Sequence, residues 1–164
     1  GVTVWVPSAV IGLVTAALTA LGMQVGSRLG ERFGRRVETL GGRVLIALIF
    51  VLAGLNKISA IEGTQGYMEA MGVPGILIYP TILFEVGAGL AIMVGYQTRI
   101  VALALACFCL ITAFIFHNNL GDQTQFVLFM KNFAMAGGFM FLARDGAGQL
   151  SLDNRRATAA AVAN

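Results

Sequence analysis

Charge is what this chain has least of. Asp, Glu, Lys and Arg make up only 12% of its 164 residues, against roughly 25% in an ordinary soluble domain. With 57% hydrophobic residues and a mean hydropathy of +0.82, the composition is that of an integral membrane protein, one compact bundle without a soluble domain. The net charge of +3 would suit nucleic acid, but the basic residues sit between apolar runs, as membrane-flanking charges do. Nucleic-acid binding is excluded on that ground, and the expected surroundings are the lipid bilayer. Strict alternation of apolar and polar residues is absent, which excludes a β-barrel and leaves an all-α class. Metal-ligating side chains are scarcer still, at one histidine and two cysteines. Cys107 and Cys109, two apart on a helix, point about 200° apart, which fits buried apolar thiols better than a disulfide. There is no Cys-x-x-Cys, no histidine pair for haem and no glycine-rich nucleotide fingerprint, so neither a metal nor an intrinsic cofactor is expected. Near Gly1 there is no basic stretch and no Ala-x-Ala cleavage site, so nothing there resembles a signal peptide.

What is present is a series of apolar runs. The first, residues 8–27, is about 20 residues long, enough for a hydrocarbon core of ~30 Å. Gly22, Gly26, Gly30 and Gly34 recur every fourth residue, a ridge that permits close helix approach, including a helix-mediated homo-oligomer. A basic segment at 28–43 follows, with five arginines against Glu31 and Glu38. Further spans are expected at 43–58, 74–95, 100–116 and 124–143. The third carries Pro80, able to kink it or to start its regular part. The connection at 59–73 is polar and glycine-broken, 95–99 is a tight turn, and 117–123 is short and polar. The organisation expected is an N-terminal transmembrane helix with a basic cytoplasmic linker (1–42), a four-helix membrane domain (43–153) and a disordered tail (154–164). Every arginine falls on one side of this scheme, in the loops that hold Arg28, Arg32, Arg35, Arg36, Arg43, Arg99, Arg144, Arg155 and Arg156. The positive-inside rule then predicts an N-terminus outside and a cytoplasmic C-terminus.

Lys57, Glu85, His117 and Lys131 lie at or within the expected hydrocarbon region, with Asn56, Asn118, Asn119 and Asn132 beside them. A charge there costs at least ~2.5 kcal/mol, so it faces protein or water and needs a partner. Helical spacing puts Lys57 on one face with Ala53 and Gly54, Glu85 with Thr81, Ala88 and Gly89, and Lys131 with Ala134, Met135 and Gly138. Small residues mark the packing side of a membrane helix, so all three point into the bundle. Lys57 and His117 each close an outward-running helix, and Lys131 lies two turns into an inward-running one. Two readings fit. In one, Glu85 pairs with Lys57 or Lys131 in an outer-facing pocket of Lys57, Glu85, His117, Asn118, Lys131, Asn132 and Asn56, whose net positive charge suits an anion or the carbonyl oxygens of a quinone. In the other, these groups only hold the helices together, with Lys57 and His117 reaching to the head groups.

The order of features from 43 to about 153 resembles the DoxX family of small bacterial membrane proteins. The matching elements are Gly42-Arg43-Val44-Leu45, Ala53-Gly54-Leu55-Asn56-Lys57, Met71-Gly72-Val73-Pro74, Glu85-Val86-Gly87-Ala88-Gly89-Leu90, Val94-Gly95-Tyr96-Gln97-Thr98-Arg99, Phe116-His117-Asn118-Asn119 and Lys131-Asn132-Phe133-Ala134-Met135-Ala136-Gly137-Gly138, about two thirds of the chain. The resemblance implies a bacterial inner-membrane protein with a four-helix core. It also implies an accessory or quinone-linked role beside a membrane or periplasmic redox protein, since the family takes its name from a subunit of a thiosulfate:quinone oxidoreductase. Lipid or small-anion binding and transport, or a purely structural role, are the alternatives. Residues from about 6 to 46 are instead similar to the last helices of the manganese efflux pump MntP family, in Thr19-Ala20-Leu21-Gly22-Met23-Gln24-Val25-Gly26 and Arg35-Arg36-Val37-Glu38-Thr39-Leu40-Gly41-Gly42. The two patterns meet on one helix, as in a fusion. That family's metal-binding aspartates belong to earlier helices and this segment has no aspartate, so manganese transport does not carry over.

Overall fold

The computed structural model describes residues 28–162; the apolar run at 8–27, with its share of the glycine ridge, lies outside them. Two compact units divide the chain, residues 1–38 and 39–164. Among the described residues the first contains only the start of helix α1, Arg28–Ser59. The second continues through α2 (Ile61–Ala70), a 3-10 turn (Gly75–Leu77), α3 (Ile78–Val94), α4 (Thr98–Phe116), α5 (Gln123–Asp145) and α6 (Leu152–Val162). There is no strand among the described residues. Four segments are long and apolar enough to cross a membrane: Gly34–Ser59, Gly75–Val94, Thr98–Phe116 and Gln123–Asp145. The second unit is thus an all-α membrane bundle.

Three segments differ from the expectation. The basic stretch at 28–43 is no separate linker, because α1 runs through it without a break for 32 residues. Its arginines, glutamates and leucines are good helix formers, and a helix has room for Gly41 and Gly42, which have nothing close to their Cα atoms. The connection at 59–73 contains the ten-residue helix α2, held by the burial of Met68 in spite of Gly63 and Gly66. The tail expected to be disordered is the helix α6. Alanine gives it high propensity, and the Ser151 hydroxyl accepts a hydrogen bond from the Asn154 N–H at 3.1 Å. Pro80 begins the regular part of α3, at its third residue, where a missing N–H costs nothing.

Close approach between α1 and α3 depends on glycine. A Cβ on Gly54 would come within 2.5 Å of Val86 Cγ2, and one on Gly89 within 2.8 Å of Val51 Cγ2 and 3.3 Å of the Ala47 carbonyl oxygen. Behind this contact lie Phe50 and Phe139, whose rings meet edge-on at 5.4 Å, and the buried α4 residues Ala102, Leu105, Ala106 and Cys109. Both thiols are free, and Cys109 is buried as expected; Cys107 is not, being exposed because two residues along α4 turn it to the other side of the helix.

The far end of the bundle is tied by polar contacts. Gly95 closes α3 at φ 71°, with the Tyr96 N–H donating to the Ala91 carbonyl at 2.9 Å. Arg43, only 2% exposed, donates to the carbonyls of Ala147 at 2.6 Å and Leu150 at 2.8 Å. At the start of α6, Asp153 accepts from the N–H groups of Gln97 at 2.8 Å and Thr98 at 2.9 Å, capping α4 from a distant part of the chain. Burial pushes the Asp153 carboxyl up, but the Thr98 and Gln97 donors outweigh it and hold the group below its ordinary range. A carboxyl depressed in the folded state contributes its full stability above the unfolded value of about 3.9 and loses it as pH falls through the folded one. Asp153→Ala should therefore cost about 1 kcal/mol at neutral pH. In micelle unfolding curves, the gap to wild type should close as pH is lowered below that range.

Candidate functional site

The α1–α3 crossing decides where the polar groups meet. Gly54 lies three residues before Lys57 and Gly89 four after Glu85, so the faces that touch are the faces that carry the charges. Lys57 Nζ donates to both oxygens of Glu85, at 3.0 and 2.8 Å. Glu85 is 5% exposed and lies roughly 11 Å along α3 from its first residue. Of the two partners open to Glu85 from helical spacing, the fold selects Lys57.

Beside this pair is a cavity of about 430 Å³, lined by Lys57, Glu85, His117, Lys131 and Asn132 with largely apolar walls that include Phe50, Phe108, Ile111 and Phe116. Asn56 and Asn118 do not line it; both are exposed, Asn56 because it lies two residues past Gly54 and so about 200° round α1 from the packed face, Asn118 because it lies past the end of α4. Each polar side chain has a distinct state. His117, the C-terminal cap of α4, has Nδ1 2.8 Å from Gln125 Oε1 in the first turn of α5. With the amide oxygen accepting, Nδ1 carries the proton and Nε2 is the free acceptor in the neutral ring. Asn132 is buried, donates to the Leu128 carbonyl at 3.0 Å and accepts from Thr112 Oγ1 at 3.4 Å. Lys131 has no hydrogen-bond or ion-pair partner among the described residues.

Helical spacing did not point to Tyr67 or Gln125. Tyr67 donates to the Phe116 carbonyl at 3.1 Å and stacks on the Phe116 ring at 5.7 Å, holding α2 across one side of the cavity. Tyr67 acts from the segment that reads as a polar connection, and Gln125 from the first turn of the last expected span, where too few residues precede it for a periodicity to mark its face. Among the described residues no three His, Cys, Asp or Glu side chains cluster as a metal site would require.

A bundle of apolar helices around an internal ion pair and an apolar-walled cavity defines a multi-pass helical membrane protein, in which polar groups meet away from lipid. Comparison with known proteins agrees. The DoxX family model matches residues 39–118. "Inner membrane protein YqjF" of Escherichia coli (strain K12) is 48% identical over 117 residues, covering 71% of this chain and 90% of that protein. "Inner membrane protein YphA" of the same organism is 35% identical, over 74% of this chain and 91% of its own length. "Putative oxidoreductase CatD" of Bacillus subtilis (strain 168) is 34% identical over 70 residues, 43% of this chain and 52% of that protein. No solved structure matches. The chain belongs to the DoxX family and is a multi-pass inner-membrane protein. A second family model, "Putative manganese efflux pump", matches residues 1–52, so the two matches overlap at 39–52, within α1.

Removing one partner of a buried pair leaves an uncompensated charge, at a cost of about 3–5 kcal/mol, whereas replacing both with apolar residues is often nearly neutral. Lys57→Met and Glu85→Leu should each destabilise by about that amount, and the double variant should recover most of the loss. Unfolding of the four proteins in lipid or mild detergent, compared as a double-mutant cycle, measures the coupling.

Proposed function

We propose that the protein is a quinone-binding accessory subunit of a membrane redox system, with its cavity open to the outer face, its N-terminus outside and its C-terminus cytoplasmic. The observation that carries this reading is the cavity of about 430 Å³ with aromatic and aliphatic walls and a few convergent polar groups. Small-molecule sites of about 300–1,000 Å³ are typically built this way. Phe50, Phe108 and Met135 offer apolar wall to a flat ring system. Its carbonyl oxygens need donors, which Lys57 and Lys131 supply. Electrons come from a membrane or periplasmic redox partner, so that a quinone takes up two electrons and two protons and leaves as the quinol. The similarity to a protein named as an oxidoreductase supports the redox context. The arginine-free connections around residues 59–73 and 117–123 support the outward assignment of the cavity end.

Small-anion or lipid binding is the second reading, favoured by one observation. The Lys57–Glu85 pair is internally neutral and Lys131 adds an uncompensated positive charge.

Titration of the purified protein with a short-chain benzoquinone, followed by absorbance after equilibrium dialysis, tests the proposal. Saturable binding is expected, weakened about tenfold in Glu85→Gln because Lys57 then loses its fixed position. Absence of saturation, or a Glu85→Gln variant that binds like wild type, would remove the quinone reading.

A further inference from the structure

We infer that the head group bound in the cavity is a monoanion, a ring hydroxyl or acid ionised at neutral pH, with Lys131 as its counter-charge. This rests on the cavity being the quinone site proposed above and narrows the ligand to acidic, hydroxyl-bearing quinones.

The inference follows from which polar groups are already committed. Both oxygens of Glu85 are held by Lys57. Asn132 gives one of its two amide hydrogens to the Leu128 carbonyl. The single Thr112 hydroxyl proton is shared among the Phe108 and Cys109 carbonyls and Asn132 Oδ1. His117 is fixed at Nδ1 by Gln125. The third Lys57 N–H, the second Asn132 amide hydrogen, the Thr81 hydroxyl and the His117 Nε2 acceptor remain open to a ligand. The Lys131 ammonium is the cavity-lining charge with no partner of opposite sign among the described residues.

Charge gives the same answer. Lys57 and Glu85 cancel, so the cavity carries one net positive charge, located at Lys131. Glu62 and Glu69, the acidic residues of α2, do not line it. Lys131 lies roughly 12 Å into α5; it is exposed, and it lines the cavity together with Met135, one turn on. An ammonium on the wall of a mostly apolar cavity favours an anion, and none of the described residues provides one. An ionised ring hydroxyl meets Lys131, while Phe50, Phe108 and Ile111 take the apolar body.

The test compares 1,4-naphthoquinone with 2-hydroxy-1,4-naphthoquinone, whose hydroxyl is ionised at neutral pH, by equilibrium dialysis against the full-length protein in micelles. Dodecanoate serves as an acidic amphiphile without a quinone ring. The hydroxyl-bearing quinone is expected to bind about tenfold more tightly than its parent, the gain of one charge-assisted hydrogen bond. Lys131→Gln should abolish that preference, bringing the hydroxyl-bearing quinone down to the affinity of its parent, and Lys131→Arg should retain it. Equal affinity for the two quinones, or a preference that survives Lys131→Gln, overturns the inference and leaves the quinone reading standing. Lys131-dependent binding of dodecanoate with no binding of either quinone overturns the quinone reading and keeps the anionic head group. Failure of all three to bind overturns both.

Discussion

The ion pair between Lys57 and Glu85 constrains everything around it. Each charge alone would be expelled from a hydrocarbon environment, and together they hold the end of α1 at a fixed depth against α3. The pair needs the close crossing that Gly54 and Gly89 permit, and the crossing in turn leaves the cavity between the paired charges and α5. Packing, electrostatics and the site are therefore one arrangement. A larger residue at either glycine would separate the charges as well as the helices.

Much of the bundle was legible from hydropathy alone, because in a bilayer the length of an apolar run is nearly a sufficient condition for a helix. The described spans lie close to the expected ones, and Lys57 and Glu85 could be placed on inward faces from the small residues beside them; Lys131, placed the same way, lines the cavity but is exposed. The pairing itself was not legible. Spacing along one helix says which way a side chain points, not how far the next helix lies, so Lys57 and Lys131 were equivalent partners until the Gly54–Gly89 crossing fixed the distance. Asn56 fails as a cavity residue because it lies about 100° round α1 from Lys57, and Asn118 because it lies past the end of α4, where no helix face fixes the direction of a side chain.

The remaining differences arise where tertiary contacts override local composition. α2 looks like a loop because Gly63 and Gly66 weaken it, and it is held as a helix by the burial of Met68 and by the contacts of Tyr67 with Phe116. Ser151 and Asp153 lie past the last expected span, where nothing in the pattern marks a role, yet one caps its own helix and the other caps α4. The overlap of two family matches within α1 belongs here too, because a glycine- and arginine-rich stretch that continues into an apolar one satisfies either pattern and still forms one helix.

Asp153 has a consequence for how the protein is made. The carboxylate that receives the Gln97 and Thr98 N–H groups is 56 and 55 residues away along the chain. It is synthesised only after α4 and α5 have emerged. A helical hairpin that enters the bilayer early must leave the start of α4 hydrated until Asp153 arrives, and the same late segment supplies the carbonyls of Ala147 and Leu150 that receive Arg43. Insertion and closure are thus separate events in the biogenesis of this protein.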